Sequence, residues 1–245
     1  MNSIVAEKQY IAAKLGLPYE NLSQSELRSE TLLTSTSVIN FALQKNKKST
    51  PTPTEKLLEL NDKFVVTHFT VKLKQVIGAV TTESLQGLAP LYTYENEYVF
   101  GQIINGAAVV RTAAGFTGTA SSNVAAIYNG QLSMTIDRRV FIPAFPVLAF
   151  RRTGATQQGA FLRTAGTTTT AAATFTGNTG LDEVSNGLFA YYNSEPTLID
   201  GRQTIDTAIN LPTSYAFSGD TFTGGLAVNN YAVFCARGYL VVNAE

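Results

Sequence analysis

The stretch QLSMTIDRRVFIPAFPVLAFRR, Gln131–Arg152, decides the fold class. Leu132, Met134 and Ile136 alternate with Ser133, Thr135 and Asp137. That is the period of a strand with one buried face. Asp137-Arg138-Arg139 supplies a polar turn. Val140–Ile142 and Val147–Phe150 read as further strand, broken by Pro143 and Pro146. Proline has no N–H to give to a sheet ladder. The part after Arg139 is therefore expected at an edge or interrupted by a bend, rather than as the second arm of one continuous hairpin. An aromatic residue before Pro146 leaves either isomer of that bond open.

Strand patterns continue on both sides. Upstream, Val65, Phe69, Val71 and Leu73 fall on one face and His68, Thr70, Lys72 and Lys74 on the other, which predicts a strand with a solvated side. Tyr98–Ile104 and Ala107–Thr112 flank Asn105-Gly106, a hairpin signal. Ser121–Asn129 is helix-like and ends at Gly130. Downstream, Thr167–Gly177 is low in complexity and lacks apolar mass to fix a register. Leu188–Tyr192 is strand-like. Ile205, Thr207, Ile209 and Leu211 alternate with polar or small residues. Tyr231–Val242 is apolar on both faces around Cys235, which predicts a central strand. No strand–helix–strand alternation is present. The best match is a mainly β chain forming an antiparallel, jelly-roll-like sandwich.

Residues 1–62 read differently. Ser3 can cap a helix with Ile4, Ile11, Ala12 and Leu15 on one face and Gly16 just past its end. Ser23-Gln24-Ser25-Glu26 has capping-box spacing, which predicts a second helix to about Leu43. Lys45–Thr54, charged and then proline-spaced, reads as an exposed, fairly stiff linker. The expected organisation is a helical arm with its linker over 1–62 and a sandwich over 63–245. Two short helices cannot bury their apolar faces alone, so the arm must dock on this domain or on a neighbour.

Composition narrows the function. Of 245 residues only 15% are charged, against roughly 25% in an average soluble protein. Lys plus Arg equals Asp plus Glu at 18 each, so no strong basic footprint for nucleic acid is present. A near-neutral surface offers little repulsion against association. No apolar run approaches the length of a membrane span, and no secretory signal pattern opens the chain.

Chemistry-bearing motifs are sparse. His68 is the only histidine and Cys235 the only cysteine. A His68–Cys235 dyad is conceivable if their strands pair, but a thiol within an apolar run is ordinarily packing. One His and one Cys cannot make a Cys/His zinc site. Asp182, Glu183 and Asp220 could serve calcium from loops, without EF-hand spacing, and read more simply as solvated charges. Asp200 and Asp206 have no context marking them as paired catalytic carboxylates. Gly224-Gly225 is not a phosphate cradle. Tyr191 and Tyr192 could stack on a sugar. No cofactor and no enzymatic activity are expected. Arg138, Arg139, Arg151 and Arg152 read as turn solvation or, more sharply, as subunit contacts, together with Ile4, Ile11 and Leu15 of the arm. Lys45, Lys47 and Lys48 read as a solvated spacer that could touch a nucleic acid.

Four stretches carry a resemblance: Leu60–Thr67, Tyr128-Asn129-Gly130 leading into Leu132-Ser133-Met134, the Gln157-Gln158-Gly159 turn, and Arg237-Gly238-Tyr239-Leu240. In texture and order they resemble capsid-type β-sandwich proteins of bacteriophages infecting Bacteroidetes, over about residues 55 to 242. The resemblance implies a non-enzymatic virion building block, a capsid or coat protein made in the host cytoplasm and kept in the particle. Its partners would be copies of itself, other virion proteins and, weakly, packaged nucleic acid. Arms of such proteins exchange between neighbours. Relatives with a double jelly roll are usually longer, which favours a single sandwich here. The rival expectation is a carbohydrate- or receptor-binding β module facing a surface glycan.

Overall fold

The computed structural model of the chain describes residues 3–77, 91–94, 103–104, 107–108, 124–151, 191–215, 217, 221–222 and 226–241. They are mainly β. Helix α1 spans Ser3–Leu15. The strands are β1 (Leu22–Leu32), β2 (Thr36–Phe41), β3 (Lys63–Ile77), β4 (Leu91–Tyr92), β5 (Ile103–Ile104), β6 (Ala107–Ala108), β7 (Gln131–Ile136), β8 (Arg139–Pro146), β9 (Tyr191–Asp200), β10 (Ile205–Tyr215), β11 (Thr221–Phe222) and β12 (Leu226–Val241). One antiparallel sheet runs β1-β12-β3-β4, with β9 also on β3 and β11 on β12. The second runs β2-β10-β7-β8. The short β5–β6 pair joins residues on either side of Asn105-Gly106, where the sequence predicts a hairpin.

The two sheets enclose one apolar core. Leu132, Met134 and Ile136 of β7 are buried, as their alternation predicts. They meet Phe64, Val66, Phe69, Val71 and Leu73 of β3 and Ala232, Phe234 and Ala236 of β12. Aromatic contacts tie the layers: Phe69 lies edge-on to Phe145 at 5.6 Å and to Phe150 at 5.8 Å, and Phe41 meets Phe234 at 5.8 Å. β12 lies between β1 and β3, the central place its apolar sequence requires.

Gln131–Phe150 forms a hairpin, β7–β8, followed by a 3-10 turn over Val147–Phe150. Its two-residue turn holds Asp137 and Arg138 at φ 46° and 68°. Both central residues at positive φ match the twist of the flanking strands. The expectation that this was not one hairpin is thus corrected. The prolines are accommodated because β8 ends the described sheet order and the ladder shifts register between Leu132 and Thr135. Neither Pro143 nor Pro146 follows a cis bond. The helix-like stretch before Gly130 is a 3-10 helix over Val124–Asn129.

The larger correction concerns residues 22–41. The second helix does not form. Leu22–Leu32 is a strand paired with β12 along its whole length, and Thr36–Phe41 pairs with β10. Each sheet therefore takes a strand from the segment read as an arm; among its described residues α1 is the one α-helix, beside single 3-10 turns at Tyr19–Asn21 and Lys45–Lys47. α1 docks on the outer face of the six-stranded sheet, where Ile11 packs with Leu22, Val65, Tyr239 and Val241, and Leu15 lies against the same cluster.

A bulge sets which β3 residues face the core. Arg237 pairs with His68 but Gly238 pairs with Val66, leaving Thr67 as an extra residue. β3 shifts at the same place against β9. Phe64 and Val66 thus face inward before the bulge and Phe69, Val71 and Leu73 after it. Val65, grouped with Phe69 by strict alternation, faces outward under α1.

Candidate functional site

The outer face of β1, β12 and β3 carries the densest chemistry of the described residues. Along β1, Glu26, Arg28 and Glu30 share this face. Opposite them on β12 stand Arg237, Cys235 and Val233, and on β3 His68, Thr70 and Lys72, with Lys74 one rung further along. Alternation predicts Lys72 and Lys74 on a solvated side, yet they are only 4% and 0% exposed. The segment read as a free linker, Lys45–Thr54, is part of a strap that lies against this face.

Glu30 is the centre. Its carboxylate accepts hydrogen bonds from Thr54 Oγ1 at 2.6 Å, Thr52 Oγ1 at 3.1 Å and Lys74 Nζ at 2.9 Å. Arg28 Nη2 lies 2.6 Å from Oε1, the oxygen that also accepts from Thr54. Lys74 Nζ also donates to Thr54 Oγ1 at 2.9 Å. A second buried carboxylate, Glu55, accepts from Lys48 Nζ at 2.6 Å, from the Glu30 backbone N–H at 2.6 Å and from the Thr52 N–H at 2.7 Å. Two anions and three cations are so interlocked beneath the strap. Burial alone pushes Glu30 up, but the Thr54 and Lys74 hydrogen bonds and the Arg28 and Lys74 charges outweigh it and hold the carboxyl below its ordinary value. Burial draws Lys74 down against the pull of Glu30. Every oxygen of both carboxylates is occupied, so the arrangement is a clasp, not an acid–base pair open to a substrate.

β3 and β12 do pair, which brings His68 and Cys235 to one face, diagonally placed. No dyad results. Burial pushes the Cys235 thiol up to about 12, and burial lowers His68. His68 Nδ1 is 2.9 Å from Thr67 Oγ1. A thiolate is the reactive form, so the folded chain is expected to resist alkylation at neutral pH. Timed iodoacetamide labelling, read by intact mass, should stay near zero until urea unfolds the chain. Rapid labelling of the native protein would contradict this placement.

The other sequence candidates are dispersed. Arg138 and Arg139 sit exposed at the β7–β8 tip, where Asp137 Oδ1 accepts from the Thr204 N–H at 2.8 Å. Arg151 lies 5.8 Å from the centre of the Tyr128 ring. Ile4 is 46% exposed while Ile11 is buried within the chain. Lys45 pairs with Glu59, and Lys48 belongs to the clasp. Asp200 Oδ1 accepts from the Arg202 N–H in the β9–β10 turn, and Asp206 is exposed on β10. Tyr191 and Tyr192 open β9 opposite Phe69 and His68, with side chains outside the described residues. Arg152, Gln157-Gln158-Gly159, Thr167–Gly177, Asp182, Glu183, Asp220 and Gly224-Gly225 also lie outside them. Among the described residues no three His, Cys, Asp or Glu side chains gather as for a metal, and no helix is long and apolar enough to cross a membrane.

Sequence reading missed Glu30, Glu55 and Lys74. The available signal was Thr52-Pro53-Thr54-Glu55, whose alternate hydroxyls reach one carboxylate. Comparison of the chain with protein-family models, curated proteins and solved structures gives no match.

Proposed function

We propose that the chain is a non-enzymatic virion building block, a capsid or coat protein whose jelly-roll-like sandwich assembles with copies of itself and with other virion proteins. The observation that carries this reading is the outward presentation of large apolar side chains on two separate elements. Val140 and Leu148, on and just after β8, are 64% and 59% exposed, and Ile4 and Tyr10 of α1 are 46% and 50% exposed. With zero formal net charge, such surfaces meet little long-range repulsion from identical copies. The resemblance to capsid-type sandwich proteins points the same way.

Sedimentation velocity over a rising concentration series, with negative-stain electron microscopy of the heavy fractions, tests it. Closed shells, rings or regular sheets are expected. Val140→Asp combined with Leu148→Asp should shift assembly to higher concentration. A chain that stays monomeric throughout overturns the reading.

A further inference from the structure

The strap does more than close the clasp. β1 ends the described order of the six-stranded sheet, and an antiparallel strand turns the N–H and C=O of alternate residues away from its neighbour. On β1 the strap meets these groups at Arg28 and Glu30. Arg28 N–H donates to Lys56 O at 2.8 Å, and Lys56 N–H returns a bond to Arg28 O at 3.0 Å. Glu30 N–H donates to the Glu55 carboxylate at 2.6 Å, and Glu30 O accepts from Lys48 Nζ at 2.7 Å. One rung is made by backbone and the next by two charged side chains. The strap thus stands where a neighbouring strand would stand, a common way of covering a sheet edge. From Lys45 to Leu57 no apolar residue is buried, and the Glu55 side chain, which is buried, is held by hydrogen bonds. Polar contacts hold it in place, the condition under which a segment opens locally while the core stays closed.

We propose that the strap is a reversible cover over a strand-addition site, and that the occupant on opening is β1 of a second copy, antiparallel across a two-fold axis. The identity of the occupant rests on the assembly reading above; the opening of the strap does not. Charge selects both partner and register. Overlap of the full strand places Leu22 opposite Leu32, Gln24 opposite Glu30 and Glu26 opposite Arg28, with Leu27 at the axis. Two Glu26–Arg28 pairs then face each other across the junction, one on each side of the axis. Of the two neighbouring registers of the same parity, one sets Glu26 against Glu30 and Arg28 against itself, and the other sets Glu26 against itself and Glu30 against Leu22; like charges disfavour both.

The test uses the full chain. Glu55→Ala removes the carboxylate that holds the Glu30 N–H and Lys48. Hydrogen exchange over residues 48–56 should accelerate by about tenfold or more while β3 and β12 keep their protection. A dimer should appear in sedimentation velocity. In that background Glu26→Lys alone or Arg28→Glu alone should abolish the dimer, and an equimolar mixture of the two should restore it, since every cross-strand pair is again of opposite sign. If Glu55→Ala unfolds the sandwich, Lys56→Pro, which deletes the N–H given to Arg28 O, serves instead. Unchanged strap exchange, an opened strap on a chain that stays monomeric, or a dimer indifferent to the charge exchange each overturns the proposal. A charge-dependent dimer from a chain whose wild type never assembles sustains the proposal and removes the coat-protein reading. Wild-type shells alongside an opened, monomeric variant do the reverse.

Discussion

Replacing Glu30 with leucine is expected to lower the unfolding free energy by about 3–5 kcal/mol, because it strands buried cations. Lys74 Nζ would keep Thr54, the Tyr231 ring, 5.9 Å from its centre, and the more distant charge of Glu55. Arg28 would lose its 2.6 Å partner, and its Nε already makes no hydrogen bond. Lys74→Met is expected to cost less, since Glu30 retains Arg28, Thr52 and Thr54. The double variant Glu30→Leu/Lys74→Met should recover much of the loss, since both desolvation costs disappear together. Urea titrations of the four proteins give the order directly. A Glu30→Leu chain within about 1 kcal/mol of wild type would show that the clasp adds nothing net. Acid titration gives a second reading. The folded carboxyl lies below the ordinary value of 4.5, so the unfolded chain binds more protons in the acid range. The stability contributed by Glu30 is complete above that value and disappears as pH falls through the lower folded one. Glu30→Leu should flatten this limb of the pH profile and leave the neutral region parallel to wild type.

The same residues explain what could be read in the sequence and what could not. β7 and β12 were legible because their neighbours are apolar: alternation marks one buried face, and a continuous apolar run marks two. β1 was not. Its inward side is Ser23, Ser25, Leu27, Ser29 and Thr31, and its outward side carries Glu26, Arg28 and Glu30, so neither face is apolar. With Glu26 and Glu30 four residues apart behind Ser23, the local signals favour a capped helix. Only pairing with β12 over eleven residues overrides them, and that is tertiary information. The strap misled for the same reason. Lysine, threonine and proline describe a solvated linker unless a buried carboxylate waits beneath them, and the one local sign, the alternate hydroxyls of Thr52 and Thr54, does not tell which carboxylate they meet. Ile11 and Leu15 were placed on a docking face by spacing alone, and they do dock, but on their own chain.

Gly238→Ala is expected to be the most damaging single methyl group in the described sheet. A Cβ there would stand 1.7 Å from the Val65 carbonyl oxygen, 2.9 Å from its carbon and 3.2 Å from the Thr67 nitrogen. All three are backbone atoms of β3, a strand held by β12 on one side and β9 on the other, so no side chain can swing aside. The close approach exists because Thr67 is the extra residue of the bulge. Relief by sliding β3 one residue would turn Phe64 and Val66 out of the core and drive Val65 into it, since side chains alternate along a strand. The same slide would take Val65 from beneath Ile11 and unseat α1. A loss of roughly 3 kcal/mol or more follows, near the upper end for a point substitution. Gly16→Ala is the internal control. Gly16 has φ +65° and no atom within 4 Å of a Cβ, so it should cost roughly 1 kcal/mol, from backbone conformation alone. Urea midpoints of the two variants separate the mechanisms. Equal, small losses would mean that β3 can shed its bulge freely. A large loss at Gly238 alone would make the bulge the feature that sets two faces of one strand at once: Phe64 and Val66 toward the core, Val65 toward the helix.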